Sequence, residues 1–191
     1  MLALDPRTTA LVLIDVQKGV LSMPLAPHGA AQIVQNAARL GLHFDEVGAL
    51  VALVHVAFSG AAVDRLSQAV DAPAPQRALP EDWADFAPEI AALRAGVVIK
   101  KRQWGAFYGT ELDLQLRRRG INTIVLAGVA TNFGVESTAR KAWQHNYAVI
   151  VAEDAVTSVG EELHRFSIEK ILPRIARVRS TAEIVGALPS K

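Results

Sequence analysis

The chain has 191 residues, of which 51% are hydrophobic and 20% charged, with 20 Lys+Arg against 19 Asp+Glu and a formal net charge of +1. That composition suits a globular chain with a core of its own and excludes a disordered one, and the missing basic excess argues against a dedicated nucleic-acid binder. No apolar run approaches the roughly 20 residues of a membrane span. The first residues also lack the basic start of a signal peptide, and there is no cysteine. The last point removes disulfides, thiolate metal sites and a cysteine nucleophile, and it makes a cytoplasmic location the expectation.

In chain order, short β-branched runs at 11–14, 50–56, 97–99, 124–130 and 148–152 read as strands apolar on both faces, with the weaker RVR at 177–179 as a sixth. Amphipathic stretches at 29–48, 111–119, 135–144, 161–172 and 181–188 read as helices. Thr110 suits the N-cap of the second of these, and Gly120 suits the position after its end. The basic triplet Arg117, Arg118 and Arg119 reads as a solvated helix terminus favoured by the dipole. This rhythm predicts one α/β domain over 1–191: doubly wound, with a mostly parallel six-stranded sheet and helices on both faces. Residues 59–89, which include DAPAPQRALPEDW, fit neither period and read as a long ordered connection or lid.

Open α/β sheets bind ligands beyond the carboxyl ends of their strands. Three features sit at such ends. Asp15 follows LVLI, Lys101 follows VVIK, and the loop GVATNFG at 128–134 follows IVLA and opens the helix VESTARKAW. If these strands are neighbours, one pocket gains an acid/base, a cation and backbone N–H groups, which suits proton transfer at an oxygen that gains charge. Each feature also has a plain structural reading. An aspartate after a strand is often a cap, one of Lys100 and Lys101 should face solvent, and glycine-rich strand-to-helix loops are common. The loop has neither GxGxxG nor GxxxxGK[ST], so dinucleotide and P-loop binding are unsupported. The five histidines, at 28, 43, 55, 145 and 164, form no HxH or HExxH spacing, and no metal is expected.

The blocks LVLIDVQKGV, KRQWGAFYGTELDLQLRRRGINTIVLAGVATNFGVESTARKAW and VIVAEDAV together resemble the isochorismatase-like hydrolases, also called the cysteine hydrolase family, over nearly the whole chain. Within that family the chain is most similar to a bacterial subgroup of the YecD type. The resemblance implies a catalytic Asp, Lys and Cys. The Asp maps onto Asp15 and the Lys onto Lys101, with Lys100 as the second choice. The Cys maps onto Gly134, where many members read TNxCVxxTA and this chain reads TNFGVESTA. It also implies a non-proline cis peptide at Val129–Ala130, with both residues helping to aim backbone N–H groups at a substrate oxygen.

Gln17, Trp104, Phe107 and Phe133 flank these motifs as candidate substrate-binding residues. For Gln17 the alternatives are orienting Asp15 or capping the first turn; for the aromatics, Tyr108 included, the alternative is core packing. Arg102 reads as a solvent-facing residue or a partner for a carboxylate. His55 is a pocket liner or a satisfied buried histidine, and Glu153 and Asp154 stand at a site edge or act as caps. Ser137 and Thr138 lie almost a helical turn from position 134 and make poor replacement nucleophiles. The D-x-H element of the zinc-using nicotinamidases is absent from VHVAFSG, and no cofactor is implied.

Glycine at 134 removes the acyl-enzyme route. Isochorismatases of the family also carry glycine there and hydrolyse a vinyl ether. The expectation is therefore a hydrolase of a small-molecule substrate, with Asp15 as acid/base and water as nucleophile. The alternative is an inactive member that serves as a small-molecule binding module. A homo-oligomer, dimeric or larger, is expected, with no nucleic-acid or membrane partner.

Overall fold

The computed structural model describes residues 2–60, 63–73 and 78–188. Its six strands are β1 (Thr9–Ile14), β2 (Leu50–Val56), β3 (Val97–Lys101), β4 (Thr123–Val129), β5 (Ala148–Thr157) and β6 (Arg177–Arg179). They form one sheet in the order β3-β2-β1-β4-β5-β6, and every pairing is parallel. The doubly wound α/β fold read from the sequence is therefore present, with an all-parallel sheet. The helices are α1 (Lys18–Leu21), α2 (Ala30–Glu46), α3 (Pro88–Ala91), α4 (Leu112–Arg118), α5 (Glu136–Gln144), α6 (Glu161–Phe166) and α7 (Thr181–Ala187).

Side chains alternate across a strand, so the fully buried β1 feeds two cores. Ala10, Val12 and Ile14 pack with Leu112 and Leu116 of α4 and with Ala139 and Ala142 of α5. Leu11 and Leu13 pack on the other face with Ala37, Leu40 and Phe44 of α2, Ile90 of α3 and Ile184 of α7. Continuous apolar strands are what a sheet covered on both faces requires.

Element boundaries moved for identifiable reasons. The single turns α1 and α3 are too short to carry a period. The expected helix 161–172 stops as α6 at Phe166 and continues as a π turn over Ser167–Ile171 and a 3-10 turn over Leu172–Arg174, where Pro173 lacks a donor. β5 runs on to Thr157 past a register shift opposite Leu126 and Gly128. Gly120 has φ +69° and follows the end of α4 as expected, but the N-cap is Glu111, one residue later than expected, and Thr110 Oγ1 accepts from Leu112 N–H at 3.2 Å from just outside it.

The described part of 59–89 is an ordered connection clamped over the sheet end; 61–62 and 74–77 lie outside the described residues. Phe86 bridges Gln17, Gly19 N donates to Trp83 O at 3.0 Å, and Arg102 pairs with Asp64. Among the described residues, no helix is long and apolar enough to cross a membrane.

β1 and β4 meet at the point where strand order reverses, the place where this architecture opens a crevice. Gly128 makes the approach possible. It has φ +117°, and a Cβ on it would stand 1.9 Å from the Ile14 carbonyl oxygen. Both facts exclude any side chain. Gly128→Ala should therefore cost about 3 kcal/mol or more, or abolish soluble expression. Urea unfolding checks this, and wild-type stability in the variant would refute it.

Candidate active site

Asp15 is the first residue beyond β1. Its N–H still donates to Val54 O at 2.8 Å, but its φ is +51°. Aspartate is among the few non-glycine residues that enter this left-handed region, and the turn takes its carboxyl out of the strand's alternation. Lys101 arrives by parity. Along β3, Val97, Ile99 and Lys101 point inward while Val98 and Lys100 point outward. The choice between Lys100 and Lys101 therefore falls on Lys101, whose ammonium donates to Asp15 Oδ2 at 2.6 Å and to Gln103 O at 3.0 Å. The two side chains are 1% and 8% exposed.

Burial dominates the electrostatics. It pushes the Asp15 pKa up to about 6, against the downward pull of the Lys101 charge and hydrogen bond, of the Val56 N–H and of His55. The Val56 N–H also donates to Gln17 Oε1 at 2.9 Å. Asp15 Oδ1 is buried and has no hydrogen-bond partner among the described residues. Burial of that oxygen is part of what disfavours the charged form.

The third component is the turn after β4. The Val129–Ala130 peptide is cis, as the family resemblance implies, and a π turn over Thr131–Val135 leads into α5. A Cβ at Gly134 would stand 3.0 Å from Ile14 Cγ2, 3.2 Å from Val129 O and 3.4 Å from Asp15 Oδ2. Position 134 thus faces the carboxyl and presents no side chain. Thr138 cannot substitute. Its buried hydroxyl donates to Gly134 O at 2.6 Å and accepts from Ala106 N–H at 3.1 Å.

The other expected residues divide. Val129 and Ala130 are buried beneath the turn with Val20 and Ile33, and Phe133 packs partly buried against them. Trp104 is 62% exposed, with its ring 4.7 Å from that of Phe133. Phe107 is a core residue in place of the expected substrate contact: it stacks on His145 at 5.4 Å and reaches Tyr147 at 5.9 Å. Gln17 departs likewise. It is fully buried, and its amide is spent on backbone, donating to Val56 O and Trp83 O at 3.0 and 3.1 Å and accepting from Val56 N–H. It clasps β1, β2 and the lid together. Tyr108 is exposed. His55 hydrogen-bonds Ala84 O at 2.9 Å, and Asp154 Oδ1 accepts from Thr181 N–H at the start of α7.

One cluster escaped the sequence reading. His28, Glu153 and His164 offer ligand atoms within 4.8 Å of one another. They come from three distant segments, with no spacing to reveal them.

The Asp15–Lys101 pair makes a pH-dependent prediction. A carboxyl whose folded pKa is raised contributes stability at low pH that is lost as pH rises through that pKa. Removing the ammonium raises the Asp15 pKa further. Lys101→Met should therefore be mild near pH 5, where Asp15 is protonated, and cost about 3 kcal/mol near pH 8, where a lone buried carboxylate remains. Denaturant melts at the two pH values check this, and an equal cost at both would refute it.

The chain matches the isochorismatase domain family model over residues 9–183. It is 50% identical over 188 residues to the uncharacterised isochorismatase family protein YecD of Escherichia coli O157:H7, covering 98% of this chain and all of that one. It is 46% identical over 186 residues to the corresponding protein YwoC of Bacillus subtilis (strain 168), covering 96% of each. The structure of an isochorismatase family protein from Burkholderia thailandensis superposes with a TM-score of 0.93 at 40% identity, covering 98% of both chains. With that model match over most of its length and a relative 50% identical over nearly all of it, this chain belongs to the isochorismatase family of hydrolases.

Proposed function

We propose that this hydrolase works without a protein nucleophile: Asp15 is the general acid, water attacks, and the substrate is a small vinyl ether such as isochorismate or a related compound. The observation that carries the reading is a buried carboxyl, pushed up to about 6, facing a position that offers no side chain to attack with. A general acid needs a pKa near the working pH, and burial supplies it here.

In the proposed sequence, the proton on Asp15 Oδ1 moves to the terminal vinyl carbon, and the C=C π pair forms the new C–H bond. The adjoining carbon becomes an oxocarbenium centre. Water adds to it and returns a proton to the Asp15 carboxylate. The hemiketal then breaks its C–O bond as its hydroxyl proton passes to the departing oxygen, leaving a ketone and an alcohol; with isochorismate the ketone is pyruvate. Lys101 holds Oδ2, stabilises the carboxylate once the proton has left, and attracts an anionic substrate.

Asp15→Asn keeps the shape and removes the acid. It should lower turnover of isochorismate by at least about 100-fold, followed as pyruvate release. In the wild type kcat/KM should fall as pH rises above about 6, because the acid is lost. Near-normal turnover in Asp15→Asn would overturn the mechanism. Thermal stabilisation by isochorismate with no pyruvate would favour the binding-module alternative. A homo-oligomer, dimeric or larger, belongs to the same proposal, in keeping with the exposed aromatic rings of Trp104, Tyr108 and Phe166. Light scattering reads it directly, and a clean monomer would refute it.

A further inference from the structure

We propose that His28, Glu153 and His164 form a zinc site that locks the far side of the turn carrying Gly134. His28 stands just ahead of α2, Glu153 lies on β5 and His164 on α6, so one ion would tie three segments together. The donor atoms are already gathered. Glu153 Oε1 lies 3.3 Å from His28 Nε2 and 3.6 Å from His164 Nε2, and all three atoms lie within 4.8 Å of one another. A tetrahedral ion with bonds of about 2.0–2.1 Å needs its donors roughly 3.3 Å apart. His28 Nε2 and Glu153 Oε1 are at hydrogen-bonding distance, and both separations are near the donor spacing just given. They suit donors that share a central ion.

The remaining imidazole nitrogens have the partners that metal-bound histidines need. His164 Nδ1 lies 2.9 Å from Thr131 Oγ1, and His28 Nδ1 lies 3.0 Å from the Gln32 side-chain amide. With the ion on both Nε2 atoms, each Nδ1–H donates, one to the threonine hydroxyl and one to the amide oxygen of Gln32 turned end for end. Two imidazoles and one carboxylate are a donor set for zinc rather than magnesium or calcium. His28 and Glu153 are partly exposed, which leaves an entry path and a fourth position for water.

The site has a structural effect and needs no reaction of its own. Thr131 is fully buried and opens the π turn that contains Gly134. Fixing the His164 ring fixes the hydroxyl it donates to, and with it the start of that turn.

The test uses the full chain, stripped with a chelator and titrated calorimetrically with zinc chloride. One zinc should bind per chain, and the melting temperature should rise. His28→Ala and Glu153→Gln, both at partly exposed positions, should each weaken binding by about tenfold or more while the metal-free proteins melt close to wild type. Cobalt(II) should give the visible bands of a four-coordinate ion in the wild type and lose them in both variants. Absence of zinc binding, or binding unchanged in both variants, would overturn the proposal. His164→Ala empties a buried position, so the two milder variants keep the test sound if it fails to fold. None of these readouts requires turnover, so the zinc site and the hydrolase mechanism succeed or fail independently.

Discussion

Taking one carboxyl out of water is the constraint around which this molecule is arranged. Asp15 sits at the end of the most buried strand, and its left-handed backbone turns the side chain beneath neighbouring strand ends. Desolvation there disfavours the charged form, and a single ammonium offsets that only in part. The residues nearby keep the carboxyl buried and its partner in reach. Gly128 lets β4 approach β1, Gln17 binds two strand ends to the lid, and Val129 and Ala130 fill the space below. The bareness of position 134 belongs to the same logic, since no side chain stands between that turn and the carboxyl.

Much of this was legible in the residues. Apolar runs on both faces announced a covered parallel sheet, and polar residues at their carboxyl ends announced the site. Asp15 and Gly134 follow from where their strands stop. Lys101 ranks ahead of Lys100 in the sequence only through the family motif, because a strand ending at 99 says nothing about either. Once β3 extends to Lys101, the two-residue alternation decides between them. Gln17 and Phe107 each keep two readings in the sequence because spacing gives neighbourhood but not direction. Gln17 is two residues from Asp15, yet its amide reaches back to β2; Phe107 follows the lysine loop, yet its ring turns into the α4–α5 core. The His28–Glu153–His164 cluster was illegible in principle, because its members meet only through the packing of α2, β5 and α6.

The turn at Thr131–Val135 has two faces with different chemistry. One presents Gly134 to Asp15, and the other presents the Thr131 hydroxyl to His164. A π turn places more residues in a given rise than an α-turn does, which is how one short segment serves both sides. Asn132 adds a third tether through its hydrogen bond to Ser158 at the end of β5. The segment nearest the chemistry is thereby among the most tightly tied parts of the loop layer.

Lys101 comes from β3, an outermost strand of the sheet, and is the last residue in register with β2. Edge strands open locally at lower free energy than central ones, and their ends open first. The ammonium that partners the central carboxyl is thus carried by the least secured strand of the three it spans. The tethers beside it, Ala57 N–H to Lys101 O at 3.0 Å and the Arg102–Asp64 pair, are strand-end fasteners in fold terms. In electrostatic terms they set how much of the time Asp15 has a cation at all. Opening of that strand end would therefore raise the pKa of the carboxyl at the centre of the sheet, because the carboxylate would lose its cation.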